Sequence, residues 1–471
     1  MNHLFKTKFN AACVVLIPAC IGINYLGKLF ASVLKLPLWL DSIGTCIGAV
    51  LGGPIIGAVC GAANNLIYGF TTGDTITLVY ALTSLGIGVA VGIMARLGQM
   101  EKLPGAILSA CVAGLTAVVI STPLNIIFWG GTTGNVWGDA VFAWSQASRM
   151  PVFLGSLLDE VVVDVPDKLI TILVVYAIVK GLPGKLTSMY DVDNKVERLD
   201  RPQGWDKEGK GAGMKNISLY VEQDTYLTRL HPFAKLTYIL AAVSVPLIAG
   251  SLWMFMVSIG VSLCLLAGGK IAARVFPLIA FSFTIIATVF LIHGLFNRAN
   301  QNVLFALGPL QFYREGIRYA AGIGLNILNM LLAFSVFVLS TKPAELVDDL
   351  EQIGFPPRFG YMISSVFQII PQMMGTMNTI MDAQRSRGME MEGNLFVRAK
   401  AFIPLIVPVV SSSLINTRER AIALEVRGFD SKEKKTFLTD GKMGRGDRLF
   451  MAAMVLFIVC AVGWRAVHVI Y

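Results

Sequence analysis

Charge is scarce in this sequence of 471 residues, because aspartate, glutamate, lysine and arginine together make up only 15% of it. Water-soluble proteins carry about 25% of these residues. Hydrophobic residues make up 55%, and the mean hydropathy is +0.66. The low charge excludes an ordinary soluble enzyme, and the apolar excess predicts an all-α, polytopic membrane protein embedded in a lipid bilayer.

Motifs for nucleotide or zinc chemistry are also lacking. The stretch at residues 181–185 lacks both the first glycine and the Ser/Thr of a phosphate-binding loop. No H-E-x-x-H occurs, and the four histidines (His3, His231, His293 and His468) are scattered. We therefore expect no catalytic residue, no metal site and no cofactor in this chain, which cannot hydrolyse ATP unaided.

The seven cysteines lie in apolar segments and show no CxxC spacing, so we interpret them as small core residues rather than metal ligands or disulfides. The net charge is +9. Most basic residues lie between or beside apolar runs, and the bias of membrane proteins toward positive cytoplasmic loops explains them better than nucleic-acid binding does. The expected location is the cell membrane, without a nucleic-acid partner.

Apolar runs in residues 1–188 predict six membrane crossings. The runs cover residues 10–34, 41–51, 54–70, 76–97, 103–128 and 151–180. Those at 41–51 and 54–70 are short for the ~20 residues that a span needs. Residues 129–139 form a polar, glycine-rich loop. Lys6, Arg96 and Lys180 fall on one side of the membrane, which we assign to the cytoplasm.

Residues 189–219 contain few apolar side chains and predict a polar cytoplasmic linker. The second unit, residues 220–471, has apolar runs at 233–249, 252–267, 275–296, 316–339 and 449–470. Between the last two runs lies a longer stretch, 341–430, that is not a simple span. Its apolar segment at 401–414 is interrupted by Pro404 and Pro408, which predicts a break there.

Two short basic motifs of one pattern recur within residues 341–430. They are Ala383-Gln384-Arg385-Ser386-Arg387-Gly388 and Ala423-Leu424-Glu425-Val426-Arg427-Gly428-Phe429. In each, arginine suits the negative end of a helix dipole, and the following glycine suits the left-handed turn that ends a helix. One such motif would be interpreted as a solvated helix end, but two of them favour a docking function.

This stretch resembles the transmembrane T component of energy-coupling-factor (ECF) transporters, over about residues 220–471. The resemblance rests on Thr341-Lys342-Pro343-Ala344-Glu345-Leu346, then Ile353-Gly354-Phe355-Pro356-Pro357, and then the two Arg-Gly motifs. It implies that Arg385, Arg387, Gly388, Glu425, Arg427 and Gly428 end coupling helices that dock on two cytosolic ATPase subunits, where ATP and Mg would bind. Residues 230–236 resemble the start of the same component, although His231 stands where the family usually has aspartate.

The first unit, residues 1–188, resembles the substrate-binding S component of the same transporters. The similar features are six predicted helices, a Gly-Gly-Pro between the second and third, and its fusion to a T component. Short alanine-rich motifs that contact the T component in some family members are not plain in the first run. The resemblance implies that this unit captures a small, vitamin-like nutrient near the outer face.

Polar residues gather in the predicted outer halves of these helices. The predicted substrate-binding residues are Asn24, Asp41, Asn64, Asn65, Tyr68, Asn125, Trp137, Asp159, Glu160 and Asp164. Glu160, Asp164 and Lys168 share one helical face, and charges within a span normally face a cavity or a partner. We expect residues 130–139 to cap this cavity, with Trp137 as a stacking surface.

Two interpretations of the acidic face stay open. An internal Asp164–Lys168 pair and interhelical hydrogen bonds would only hold the bundle together. The carboxylates would otherwise meet a cationic or hydrogen-bond-rich substrate. The sequence favours an ECF-type importer subunit, and the alternative from another class is an ion-coupled secondary carrier that uses Glu160 and Asp164 as a proton or cation relay.

Overall fold

The computed structural model describes residues 11–34, 36, 38–72, 74–182, 225–297, 300–307, 310–389, 394–429 and 443–470. Helices dominate these residues, and the only strands among them form one short hairpin. The predicted all-α polytopic fold is confirmed. The predicted linker at residues 189–219, and with it the boundary between the two halves, lies outside the described residues.

The first half is a bundle built from six longer helices and two short ones. The bounds are α1 Ala11–Val33, α2 Ile43–Gly52, α3 Pro54–Thr72, α4 Thr75–Val79, α5 Ala81–Arg96, α6 Leu103–Trp129, α7 Val136–Ala147 and α8 Val152–Gly181, with a 3₁₀ turn at Gln99–Glu101. Helix α6 packs along α8, and α3 packs along α5. Glycine permits the second contact, since a Cβ on Gly88 would lie 2.3 Å from the Gly57 carbonyl carbon.

The second half continues with membrane helices, a hairpin and a pair of long helices. The bounds are α9 Tyr226–Arg229, α10 Pro232–Ala249, α11 Leu252–Gly268, a 3₁₀ turn Ala272–Arg274, α12 Phe276–Phe296, β1 Val303–Leu307, β2 Leu310–Tyr313, α13 Arg314–Ser340, α14 Pro343–Gln352, α15 Pro357–Ser386, α16 Leu395–Val426 and α17 Arg445–Ile470. The two strands pair antiparallel. Helix α13 packs against α10, α11 and α12, and α17 closes the group against α10.

The long helices α15 and α16 cross near their middles. At the crossing, the Ser413 hydroxyl lies 3.5 Å from the Met373 sulfur, and the Arg420 guanidinium donates to the Gln372 amide oxygen at 2.6 Å. The end of α16 reaches the start of α15, where the rings of Phe429 and Tyr361 are 5.2 Å apart. The two helices therefore run in opposite directions and stay in contact from the crossing to the end of α16.

Helix α1 of the first half packs against both of these crossing helices. At Gly22 a Cβ would lie 2.4 Å from the Met373 sulfur, and Phe30 meets Phe402 edge-on at 6.1 Å. Nearly all of α1 is buried, and 89% of the residues in its most apolar stretch lie inside the protein. The two halves thus share one hydrophobic core, which includes residues of α1, α15 and α16.

By length and composition, five described helices could cross a membrane, or six if the bent pair Leu252–Gly268 and Ala272–Ala280 counts as one span. Two of the five, Ala12–Val33 and Leu103–Trp129, belong to the first half. Helices α2 and α5 are apolar but shorter. The predicted six crossings of the first half stay a prediction.

Four details differ from the sequence-based expectations. The run at 76–97 is divided at Tyr80 into α4 and α5, and the predicted loop at 129–139 already becomes helix α7 at Val136, because the Asn135 side chain accepts from the Trp137 amide. The β-hairpin was not predicted. Helix α16 continues through Pro404 and Pro408, since proline removes few backbone bonds and packing on α1 can compensate.

Candidate functional site

The ends of α15 and α16 have the same backbone geometry. The Met389 amide bonds the Gln384 carbonyl at 3.1 Å, and the Phe429 amide bonds the Leu424 carbonyl at 3.1 Å. Gly388 and Gly428 adopt φ values of 82° and 71°. This six-residue closure with a left-handed glycine is a Schellman motif, in which glycine avoids the steric cost of a Cβ. The sequence motifs are therefore two copies of one local structure.

The side chains at both ends are presented to the surroundings. Arg385, Arg387, Glu425 and Arg427 are all exposed, and a Cβ on either motif glycine would have no neighbour within 4 Å. Since Phe429 lies beside Tyr361, the ends at Arg387 and Arg427 are about 40 Å apart along α15. The predicted docking function of these residues stays a prediction, but the geometry offers two matched, separate and accessible ends.

A cavity of about 380 Å³ lies within the first half and holds the polar residues that face one another across the bundle. Five of the predicted substrate-binding residues line it: Asp41, Asn65, Tyr68, Glu160 and Asp164. Its apolar walls include Leu36, Leu38, Ile76 and Ile87. A cavity of this size, mostly apolar with a few convergent polar groups, is typical of small-molecule sites.

The other predicted substrate-binding residues lie elsewhere. Asn24 exchanges two hydrogen bonds with Thr45, which joins α1 to α2, and Asn64 donates to Asn65 at 3.1 Å. Asn125 and Asp159 are fully buried behind the wall, and Trp137 is 57% exposed on the outside of α7. Trp137 therefore does not offer the cavity the stacking surface that the sequence predicted.

Lys28 on α1 is held at one side of the cavity. Its ammonium donates to the Thr77 hydroxyl at 2.8 Å, lies 3.4 Å from the Asp74 carboxylate, and sits 3.9 Å above the ring of Tyr68. Asp74 also caps α4 through the Thr77 amide. These bonds fix Lys28 in place and neutralise its charge.

Lys168 on α8 is held at the other side. Its ammonium lies 2.6 Å from Asp167 and 3.6 Å from Asp41, and only 3% of its side chain is exposed. Asp167 accepts from the Trp39 and Leu40 amides at 3.0 and 2.9 Å, which fastens the segment before α2 to α8. The internal pair is therefore formed with Asp167 and Asp41, and not with Asp164 as the sequence allowed, because Asp167 is adjacent and Asp41 approaches from the loop.

Glu160 and Asp164 lie one turn apart on α8 and are 3% and 6% exposed. Glu160 accepts a short hydrogen bond from the Asn125 amide, and Asn125 in turn accepts from the Tyr80 hydroxyl. Within the described part of the chain, neither carboxylate has a basic group within 4.0 Å. These are the two cavity acids that form no ion pair at that distance among the described residues.

The loop between α6 and α7 covers part of the cavity through Thr133 and Gly134. Thr133 donates its hydroxyl to Asp159 at 2.9 Å, and the amides of Thr133 and Gly134 donate to Asp139 at 3.1 and 3.2 Å. Burial raises the pKa of Asp139 to about 6, although these two amide bonds act to lower it. The loop is thus anchored to α7 and α8.

Helices of the second half contact the same loop. Ile285 on α12 lines the cavity, and His293, also on α12, packs edge-on against Phe142 at 5.8 Å and lies under Gly130. Asn326 on α13 donates to the Phe128 carbonyl at 3.2 Å. The halves therefore meet both at α1 and at this loop.

Several cavity residues were not among the predicted ones: Lys28, Trp39, Asp74, Thr77, Tyr80, Thr83, Ser84, Ser121, Thr133 and Lys168. Lys28 could have been found, because a lysine inside an apolar helix normally faces a cavity or a partner. The threonines and serines carried no such signal, since they also bond backbone carbonyls within their own helices.

The start of the second half is fixed by polar contacts. The His231 side chain accepts from the Phe233 amide at 3.3 Å and so caps α10, the role that aspartate would serve. Its other ring nitrogen lies 3.5 Å from Asp349 on α14. Buried Lys235 donates to the Ser340 carbonyl at 2.8 Å, which joins α10 to the end of α13 just before the coupling stretch.

Comparison with known proteins shows which family the second half of the chain resembles. Residues 223–437 match the CbiQ family, described as cobalt transport protein. The energy-coupling factor transporter transmembrane protein EcfT of Bacillus selenitireducens is 30% identical over 268 residues, covering 53% of this chain and 96% of the relative. Those of Lactococcus lactis and Staphylococcus aureus are 26% and 27% identical, covering 54% and 52% of this chain and 100% and 98% of the relatives.

Proposed function

The chain belongs, through its second half, to the family of energy-coupling factor transporter transmembrane proteins of the cell membrane, and we propose that it also carries its own substrate-binding half. It would form the membrane part of an ATP-driven importer, with ATP hydrolysed by separate subunits. The observation that carries this proposal is the seating of α1, from the half that holds the cavity, on the crossing of α15 and α16.

The two Arg-Gly ends would be the docking points for two ATPase subunits. Both ends present exposed arginine beside a Schellman turn, and they are separated by about 40 Å along α15. One small surface could not contact both ends, whereas a pair of similar subunits could each accept one. ATP and Mg would bind to these subunits and not to this chain.

Helices α15 and α16 would transmit movement from the ATPases to the first half. Their crossing contacts α1 through well-packed groups such as Gly22 against Met373. Because packed interfaces shift as units, a change in the angle between α15 and α16 would reposition α1 and the bundle attached to it. In this proposal the first half tilts as a body and carries its cavity from one membrane face to the other.

The cavity would hold the imported nutrient. Its volume of about 380 Å³ suits a small molecule, and its polar groups come from α1, α3, α4, α5, α6, α8 and the loops between helices. The loop at Thr133 and Gly134, which also touches α12, would open and close the cavity as the halves move. Ligand capture and coupling would thus be joined within one chain.

The test uses the full chain purified from its native host. Proteins that co-purify are identified by mass spectrometry, and the complex is reconstituted into vesicles that are loaded with ATP. The vesicles are incubated with a small-metabolite extract of the host, and the compounds that accumulate are identified. We expect two ATPase chains in the complex and accumulation that requires ATP hydrolysis.

The same vesicles test the alternative of an ion-coupled carrier, which the unpaired Glu160 and Asp164 keep open. An imposed proton gradient without ATP should drive no accumulation. Accumulation under the gradient alone, or a purified chain without ATPase subunits, would overturn the proposed function.

A further inference from the structure

The charges that line the cavity do not balance. Among the described residues that line it are four carboxylates (Asp41, Asp74, Glu160 and Asp164) but only two lysines. Both lysines are already committed, Lys28 to Asp74 and Lys168 to Asp41 and Asp167. An anionic ligand would therefore have to displace an existing ion pair, at the cost of leaving a buried acid alone.

Glu160 and Asp164 are the two acids that remain. Each is more than nine-tenths buried, both line the cavity, and no basic group of the described chain lies within 4.0 Å of either. Glu160 has one amide donor, Asn125, and Asp164 has no hydrogen-bond donor other than its acidic neighbour. A buried carboxylate pair either shares a proton or recruits a positive charge, and a cationic ligand would replace the shared proton.

We propose that the cavity takes a small organic cation, whose charged group lies between Glu160 and Asp164. This deepens the proposed function by naming the class of the nutrient. The apolar lining, with Leu36, Leu38 and Ile76, would hold the apolar part of the same molecule. Lys28 and Lys168 would keep Asp74, Asp41 and Asp167 neutralised. The charged group of the ligand would then be attracted only to Glu160 and Asp164.

The donor set favours an organic cation over a metal ion. Glu160 and Asp164 offer carboxylate oxygens, and the described residues that line the cavity include no histidine or cysteine, the ligands that divalent transition metals favour. Among the described residues, no group of three or more histidines, cysteines or acids could hold a metal. The volume of about 380 Å³ also far exceeds that of an ion.

The experiment measures charge preference with matched probe pairs on the full chain in complex with its ATPases. The pairs are choline with 3,3-dimethylbutanol and benzamidine with benzamide. In each pair the shape is kept and only the positive charge differs. Calorimetric titration without ATP gives the Kd of each probe, and cobalt chloride is titrated as the metal probe.

We expect at least one cation to bind, and each cation that binds to do so at least tenfold more tightly than its neutral partner. In the Glu160→Gln, Asp164→Asn double variant this ratio should fall to near one, while the neutral probes keep their affinity. The matched control is Glu101→Gln, an exposed acid at the 3₁₀ turn, which should keep the wild-type ratio.

Three outcomes overturn the inference: no cation binds, the neutral partners bind equally well, or cobalt binds in preference at these carboxylates. A double variant that loses cations and neutral probes together would also overturn it, because that would show a structural role. Since no ATP is used, these results are independent of the transport test. ATP-driven accumulation of a neutral or anionic compound would refute this inference and leave the proposed function standing.

Discussion

The two functional regions of this molecule use charged side chains in opposite ways. At the ends of α15 and α16, Arg387 and Arg427 are exposed, and within the described chain their side chains make no ion pair or hydrogen bond. In the cavity, Lys28 and Lys168 are largely buried, and each has at least two partners. The arginines are therefore accessible to a partner protein, whereas the lysines are held in place by neighbours within the bundle.

This difference determines what a substitution can do. Exposed charges contribute little to folding, about 0–1 kcal/mol each, so changing them should affect partner binding and leave the fold intact. Breaking a buried ion pair costs about 3–5 kcal/mol, so changes at the lysines would affect the bundle itself. The following predictions test each side of the comparison.

The largest effect is expected at the proposed docking ends, which are the Arg-Gly ends of α15 and α16. Arg387→Glu combined with Arg427→Glu should abolish co-purification of the ATPase subunits, because both ends would present the wrong charge to their partners. Either single change should leave one end attached and reduce ATPase recovery only in part. The measurement is the amount of ATPase recovered with the affinity-tagged chain.

The control for this reversal is Lys102→Glu with Arg448→Glu, which changes two exposed basic residues at the starts of other helices. It should recover ATPase at the wild-type level. Wild-type recovery from the Arg387, Arg427 double variant would show that the matched ends have no docking role.

The next effect concerns the rim of the cavity and depends on pH. Burial raises the pKa of Asp139 from 3.8 to about 6, so the folded state favours the protonated form. The stability that this preference contributes is present below pH 3.8 and is lost as the pH rises through 6. At neutral pH the free energy of unfolding is lower by about 3 kcal/mol at most.

Asp139→Asn should therefore have the same thermal midpoint as the wild type at pH 4 and a higher one at pH 7.5. The asparagine oxygen can still accept from the Thr133 and Gly134 amides. The midpoint of the full chain in detergent is compared at both pH values, with exposed Asp382→Asn as the control. A lower midpoint at pH 7.5 would mean that the charged carboxylate is required to hold the loop.

The same comparison explains what the sequence could predict. The helix ends are local structures, in which the residues from 383 to 388 form all of the geometry, so their pattern is visible in consecutive letters. The long apolar runs predicted most of the membrane helices for the same reason, because each run is consecutive in the sequence. The cavity is different, because lining residues such as Lys28 on α1, Thr77 on α4 and Lys168 on α8 come together only after these helices have packed.

Polar residues in apolar helices were candidates for the cavity. The sequence could not show which of them would face the cavity and which would face a neighbouring helix. Asn24 and Asn65 illustrate this, since the first bonds Thr45 between helices and the second lines the cavity. The exposed position of Trp137 also depends on α7, whose start at an Asn135 cap was not recognised. The pairing of Lys168 required the loop at Asp41, which lies far away in the sequence.

A smaller effect should follow from changing the glycines of the docking ends. Gly388 and Gly428 have φ values of 82° and 71°, and alanine in that region costs about 1–2 kcal/mol. Gly388→Ala or Gly428→Ala should therefore lower ATPase affinity by about 5–30-fold, and asparagine should lower it less. ATPase binding to the immobilised chain gives the affinities.

Gly375→Ala provides the control, because Gly375 lies within α15, is exposed and also has free space around its Cα. Alanine there should keep or slightly improve stability, since it is the better helix former. An equal loss of affinity at Gly375 and Gly388 would show that helix surface, and not the left-handed turn, determines docking.

The smallest effect is expected at His231. Histidine stands here where the family usually has aspartate, but it still accepts the hydrogen bond that caps α10. The Nδ1 atom accepts from the Phe233 amide, so His231→Ala should destabilise the chain by about 1 kcal/mol, the usual cost of a lost cap. His231→Asn keeps an acceptor at the cap and should stay close to the wild type. Because asparagine does not keep the contact between the second ring nitrogen of His231 and Asp349, equal losses in both variants would instead identify that contact as the stabilising one. Thermal midpoints of the two variants at pH 7.5 distinguish these outcomes, and ATPase recovery should be unchanged in both, since α10 begins far from the docking ends in sequence and makes its described contacts with α11, α13, α14 and α17.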